Sequence, residues 1–212
     1  MFSDSLQNLI VNQQYTDLCK IMNRAGSDKG SGWHNYTKFY DHIFNNMRYD
    51  KLNILEIGVG TMNSTMKSNM CSNIGYIPGA SHRGWNEYFK NSIIYGCDID
   101  RNIVTSCDTE RNKYFYLDQL DLETIKTQFY EGEFKDIKFD IIIDDGLHDF
   151  QINYNLLEVL LPKINKGGYY IIEDIYNYNP DLVKIDTQYQ SQYVKLYNPQ
   201  NNHDNNLFVV KF

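Results

Sequence analysis

The sequence predicts an α/β fold: a doubly wound sheet of seven strands, mostly parallel, with an antiparallel hairpin at its C-terminal end. Two patterns carry this expectation. Five short apolar runs recur along the chain with helical segments between most of them, as expected of parallel strands covered on both faces. The tail then breaks the alternation. "QYVKLYNPQNNHDNNLFVVKF" (192–212) reads as two strands around a polar turn, with only a short helix before them.

Residues 5–24 read as helix, with Leu6, Leu9, Ile10, Leu18, Ile21 and Met22 on a broken apolar face. A Gly/Ser-rich loop follows. From Tyr36 the chain turns helical again, with Tyr36, Phe39, Tyr40 and Ile43 at helical spacing. The apolar runs are "KLNILEIGVG" (51–60), "SIIYGCDID" (92–100), "KYFYLDQLD" (113–121), "IKFDIIIDDG" (137–146) and "GGYYIIEDI" (167–175). Helices are expected at about 82–90, 121–131 and 150–164. The last has Leu156, Val159 and Leu160 on one face and a proline near its end.

A chain of 212 residues is enough for one domain, spanning 1–212, with a sizeable core. The net charge of −7, without basic clusters, argues against a nucleic-acid partner. No run approaches the roughly 18 apolar residues of a membrane span. The stretch "MFSDSLQNLIVNQQY" has no basic region before an apolar core, so no signal peptide is expected. Cys19, Cys71, Cys97 and Cys107 show neither CxxC spacing nor a disulfide framework, and a reducing, cytoplasmic setting follows.

In an open α/β sheet, ligands bind outside the carboxyl ends of the strands, so the residues just after each run are the informative ones. "EIGVG" supplies Glu56, Gly58 and Gly60 in a Gly-x-Gly turn that lets backbone approach a ligand; a plain tight turn is the alternative. A third glycine, needed for a nicotinamide-binding fingerprint, is missing. Asp98, followed by Asp100, can accept hydrogen bonds from two ribose hydroxyls, or it is a solvated strand end. Asp118 and Gln119 can read an adenine edge. Asp145 ends the fourth run and Glu173–Asp174 the fifth, so three carboxylates converge at neighbouring strand ends. Unpaired, they raise one another's pKa, and a hard cation relieves them: Mg²⁺, Mn²⁺ or Ca²⁺. His148 lies three residues past Asp145 and is a candidate base. The competing reading makes these acids helix N-caps.

In this order, "SDKGSGWHNYTKFYDHIF", "ILEIGVG", "YGCDID", "LDQLD", "IIIDDGLH" and "GGYYIIEDI" resemble class I S-adenosylmethionine-dependent methyltransferases. More narrowly, they resemble the metal-dependent sugar O-methyltransferases that act on macrolide deoxysugars. The resemblance covers about residues 26–175 and implies a Rossmann-like fold. It also implies S-adenosyl-L-methionine and Mg²⁺ as cofactors and a sugar or nucleotide-sugar acceptor. Glu56, Gly58 and Gly60 would lie against the methionine part of the cofactor, Asp98 at its ribose, and Asp118 and Gln119 by its adenine. Asp144 is counted with this side, supporting the turn. Asp145, Glu173 and Asp174 match the metal ligands. His148 matches the base, although some relatives use the aspartate instead. His34, Tyr36 and Tyr40 are candidate acceptor contacts, the segment 1–50 covering the pocket. His82 and Arg83 are further candidates for an anionic acceptor.

The resemblance departs at "MNSTMKSNMCSNIGYIP" (62–78), which looks like a loop inserted at the pocket mouth between the glycine turn and "GASHRGW". A homo-oligomer is compatible with the reading. A catechol or other small diol is the alternative acceptor; a nicotinamide-dependent oxidoreductase and a non-catalytic subunit are the rivals from other classes.

Overall fold

The computed structural model describes residues 15–106, 109–176, 190–196, 198, 200, 201 and 203–212. Seven strands form one sheet: β1 Asn53–Ile57, β2 Ile93–Asp98, β3 Asn112–Tyr116, β4 Phe139–Asp144, β5 Ile164–Ile172, β6 Gln190–Lys195 and β7 Asn206–Lys211. Their order is β3-β2-β1-β4-β5-β7-β6. The first five pair in parallel, while β7 runs antiparallel to both β5 and β6. β1 pairs with β2 on one side and β4 on the other, so the strand order reverses at β1 and a crevice opens above its end.

Alternation along each strand sorts side chains to two faces. Ile54, Ile94, Ile141, Ile143 and Ile171 belong to one core. Three helices contribute to it: α1 Asp17–Ala25, α2 Tyr36–Phe44 and α3 Ala80–Tyr88. Leu55, Ile57, Cys97, Ile142 and Ile172 belong to the other, with α5 Leu122–Tyr130 and α6 Phe150–Leu160. The three isoleucines of "IIIDDG" are thus shared between the layers, which is why that run is apolar throughout.

Local chemistry sets the helix ends. Thr16 accepts from Cys19 N at 3.1 Å to start α1, and Gly26 ends it in left-handed backbone. Asp121 caps α5 and Asp149 caps α6. The cap after β4 is therefore Asp149, and the capping alternative for Asp145 falls away.

Several expected boundaries shift. α6 stops at Leu160, and a 3₁₀ turn through Pro162 leads into β5, which begins at Ile164 and ends before Glu173. β3 ends at Tyr116, leaving Asp118 and Gln119 in a loop. A six-residue helix, α4 Arg101–Ser106, follows β2 where none was expected. The N-terminal part of the first expected helix, the short helix before the tail strands and Cys107 lie outside the described residues. Among the described residues no helix is long and apolar enough to cross a membrane.

Candidate functional site

A cavity of about 210 Å³ opens at the carboxyl ends of β1, β2 and β4. Its floor is the glycine turn. Gly58 and Gly60 have φ of 88° and 87°, a region that L side chains rarely adopt. A Cβ on Gly58 would lie 2.0 Å from the carbonyl oxygen of Asp145, so the turn is packed directly against the next strand end. Asp98 clamps the turn: its Oδ2 accepts from Val59 N at 2.8 Å and its Oδ1 from Asp100 N at 2.8 Å. Burial raises the Asp98 pKa against the pull of these amides. Asp98 and Asp118 both line the cavity.

Gln119 and Asp144 are turned elsewhere. Gln119 Nε2 donates to Asp144 Oδ1 at 2.7 Å, and its Oε1 accepts from Leu147 N at 2.7 Å. Tyr170 donates to Asp144 Oδ2 at 3.0 Å. The Asp144 carboxyl is fully buried, and burial pushes its pKa up to about 7. Gln119 reaches the cavity wall with both ends of its amide engaged, while Asp144 lies behind that wall.

The acids at the ends of β4 and β5 do converge, around a lysine. Lys29 Nζ lies 2.5 Å from Asp145 Oδ2, 2.5 Å from Glu173 Oε2 and 3.2 Å from Glu56 Oε1. Tyr40 donates to the other Glu173 oxygen. His148 Nε2 is 3.3 Å from Asp145 Oδ1 and 3.1 Å from Asp174 Oδ2. Tyr36 donates to Asp174 Oδ1 at 2.6 Å and accepts from Asp174 N at 3.1 Å. His148 and Asp174 both occupy left-handed backbone, at φ 53° and 55°. Asn35, at 61°, makes up the set of such non-glycine residues among those described. Strained backbone thus gathers in and beside this cluster.

The cluster is electrostatically loaded. Burial opposes the charge on Lys29, but the carboxylates around it raise its pKa well above the ordinary value. Burial raises Glu173 well above the carboxylate range, with Lys29 opposing. Asp174 is pushed up to about 6, by burial first and then by Asp145. Asp145 is held low because Lys29 and His148 outweigh its desolvation. Burial would lower His148, yet its hydrogen bond to Asp145 and the charge of Asp174 lift it to about 10.

Asp145, His148 and Asp174 each offer one ligand atom, all within 4.8 Å of one another. Glu173, expected among the metal ligands, faces Lys29 and Tyr40 instead, and His148 stands in that trio. A second group with the same spacing joins His34, Asp174 and Asp204.

Glu56 lies behind the cavity wall rather than against a ligand. It accepts from Ser81 at 2.9 Å and Trp85 Nε1 at 3.0 Å, with Lys29 nearby. Burial would raise its pKa, but the Lys29 charge lowers it. None of the five candidate acceptor contacts lines the cavity. His34, Tyr36 and Tyr40 are buried, packing beneath the acids. His82 is fully buried between Glu56 and the ring of Tyr114. Arg83 points outward, its guanidinium donating to the carbonyls of Ala25, Ile77 and Pro78. The cavity wall includes residues that spacing did not single out: Lys29, and Met66, Lys67, Asn69 and Tyr76 from the insert.

No family model matches the chain. It is 32% identical over 160 residues to an L-olivosyl-oleandolide 3-O-methyltransferase from Streptomyces antibioticus, covering 75% of this chain and 37% of that protein. It is 29% identical over 169 residues to an 8-demethyl-8-(2-methoxy-alpha-L-rhamnosyl)-tetracenomycin-C 3'-O-methyltransferase from Streptomyces olivaceus, covering 76% and 37%. The fold superimposes on a MycE methyltransferase of mycinamycin biosynthesis, solved with Mg, SAH and mycinamycin VI. The TM-score is 0.61 at 31% identity, over 76% of this chain and 40% of that one. The chain thus has the class I methyltransferase fold and has sugar O-methyltransferases as homologues, and it spans less than half the length of these relatives.

Proposed function

We propose that this chain is an S-adenosylmethionine-dependent, divalent-metal-assisted O-methyltransferase acting on a sugar hydroxyl, whether of a nucleotide sugar, a glycan or a glycosylated natural product. The observation that carries the reading is the convergence of Asp145, His148 and Asp174 beside the Gly58 turn. One cavity, lined by all four, thereby joins a methyl-donor pocket to a cation site. The donor set of carboxylates with one imidazole suits a hard divalent ion. Burial first, and then the neighbouring carboxylates, raise the pKa values of Glu173 and Asp174, so a bound cation would favour their charged forms. The acids on the cavity wall, Asp98, Asp118 and Asp145, suit a cationic sulfonium donor. Free Cys19, Cys71 and Cys97 fit a reducing, cytoplasmic setting.

Gly58 and Gly60 let the turn approach the donor, and Asp98 fixes the turn's amides. Asp145 and Asp174, with His148 or Glu173, would hold the ion. When bound, it supplies charge that favours loss of a proton from a hydroxyl otherwise too weakly acidic to react. His148, at the cavity edge, and Asp145 are the groups placed to take that proton; His148, lifted to about 10 by Asp145 and Asp174, must first give up its own. Holding acceptor and sulfonium in line supplies much of the remaining rate. The insert residues Met66 to Met70 and Tyr76 help enclose the reaction.

The test has two arms. Calorimetry measures S-adenosylmethionine binding with and without EDTA. Methyl transfer is assayed on a panel of nucleotide sugars, rhamnosylated natural products and a catechol. Transfer to a sugar that vanishes in EDTA and in Asp145→Asn, while S-adenosylmethionine still binds, is expected. Full activity after chelation defeats the metal role, and transfer to the catechol alone defeats the sugar.

A further inference from the structure

The three strand-end carboxylates have no free oxygen. Asp145 faces Lys29 and His148, Glu173 faces Lys29 and Tyr40, and Asp174 faces Tyr36 and His148. Two of the three acids share one ammonium, which is 1% exposed and completes its own shell with Glu56. This lysine sits among oxygens of the kind a hard cation takes. An ammonium 2.5 Å from both Asp145 and Glu173 repels any divalent ion that approaches the same pair.

We propose that Lys29 is a resident counter-ion that competes with the divalent metal for Asp145 and Glu173, so that pairing with Lys29 and binding of the metal exclude one another. The proposal rests on the metal-assisted reading and adds to it a residue that sets metal affinity. Lys29 is suited to yielding. Its side chain is a flexible four-carbon stem ending in a point charge. It comes from the Ser27–Lys29 loop, not from the sheet, and lines the cavity, so its ammonium can turn into open space without movement of a strand. Tyr40 and Tyr36, on helix α2, remain to orient Glu173 and Asp174. With Lys29 withdrawn, Glu173 is released toward Asp145 and Asp174. The metal-free and metal-bound donor sets then differ: Asp145, His148 and Asp174 without the ion, and Glu173 added with it.

If the Lys29-paired form dominates the free protein, metal affinity is reduced by the fraction of protein free of that pairing. Calorimetric titration with Mn²⁺ alone, on the full chain without acceptor, reads this directly. Lys29→Met is expected to bind Mn²⁺ at least about tenfold more tightly than the native chain. An affinity equal to the native value, or weaker, overturns the competition. The native protein gives a check independent of variant folding. With ¹⁵N-labelled lysine, the Lys29 ammonium resonance is expected to be protected from solvent exchange without metal, and to lose that protection on saturation with Mg²⁺. A resonance unchanged at saturating Mg²⁺ overturns the proposal. Absence of Mn²⁺ binding to both proteins overturns the metal-assisted reading and this proposal with it; binding that ignores Lys29 overturns this proposal alone.

Discussion

His148 and Asp174 meet at 3.1 Å, Nε2 to Oδ2, each from left-handed backbone and from the ends of adjacent strands. Two such conformations cost on the order of 1–3 kcal/mol each and persist only where the surroundings over-determine them. For Asp174 the surroundings are visible. Tyr36 binds both its amide and its carboxylate, and the same hydroxyl lies 2.9 Å from Asp204 O.

Tyr36→Phe removes that clamp and keeps the ring. Orienting hydrogen bonds behind metal ligands are worth roughly 10–100-fold in metal affinity. A loss of this size in Mn²⁺ affinity, with near-native circular dichroism, is expected. Unchanged affinity would show that Asp174 needs no such support.

Asp144 gives a pH signature. Its folded pKa of about 7 lies above the roughly 3.9 of an unfolded aspartate. Below about pH 4 both states are protonated and nothing is lost. As pH rises from there, the unfolded chain releases its proton first, and stability falls until the folded carboxyl ionises near pH 7. The full loss is on the order of 4 kcal/mol. Asn at 144 can still accept from Gln119 and does not ionise. Thermal melts in EDTA at pH 5 and pH 8 should show Asp144→Asn gaining on the native protein as pH rises. A constant difference between the two would mean that Asp144 does not titrate in this window.

The glycine turn should tolerate substitution unequally. At Gly58 a Cβ meets backbone of Asp145, which cannot move aside; at Gly60 it meets the hydroxyl end of Tyr76, which can. Both positions add the left-handed penalty of about 1–2 kcal/mol. Gly58→Ala also carries an overpacking cost of about 1–3 kcal/mol. Urea denaturation should rank Gly58→Ala as the more damaging, and calorimetry should show it alone weakening Mn²⁺ binding. Equal effects would break the proposed link between the turn and Asp145.

Arg83 ties the insert to helix α1, donating to the carbonyls of Ile77 and Pro78 in the insert and of Ala25 at the helix end. Arg83→Ala should speed amide hydrogen exchange across residues 66–76 while global stability falls by no more than about 1.5 kcal/mol. Unaltered exchange there would mean that the insert is held by Tyr76 and its own turns.

The strands were readable because burial on both faces writes itself as unbroken apolar runs, and the antiparallel tail because a polar turn separates two such runs. Strand ends could therefore be named before any coordinate, and Asp145, Glu173 and Asp174 do come together. Side-chain direction is another matter. Nothing in "IIEDI" says that Glu173 turns back to Lys29 and Tyr40 while Asp174, in left-handed backbone, turns to His148. Lys29 sits in an aperiodic loop 116 positions before Asp145, so only the folded sheet makes them neighbours. The resemblance put Glu56 against the cofactor, yet strand alternation sends it beneath the turn, to Ser81 and Trp85. α4 escaped notice because "RNIVTS" is too short to display a helical period.

The support of Asp174 also has a place in time. Asp204 O lies 2.9 Å from the Tyr36 hydroxyl, and Asn201 Nδ2 lies 3.2 Å from His34 Nδ1, contacts separated by 168 and 167 positions. β7, reached only after this segment, lies between β5 and β6. On a ribosome, a nascent chain that already carries every strand-end acid, and Tyr36 to hold Asp174, still lacks the contacts that brace Tyr36 and His34 from behind. The bracing behind the cation site is thus completed late in the chain, and a chain stalled before residue 201 would present the acids without it.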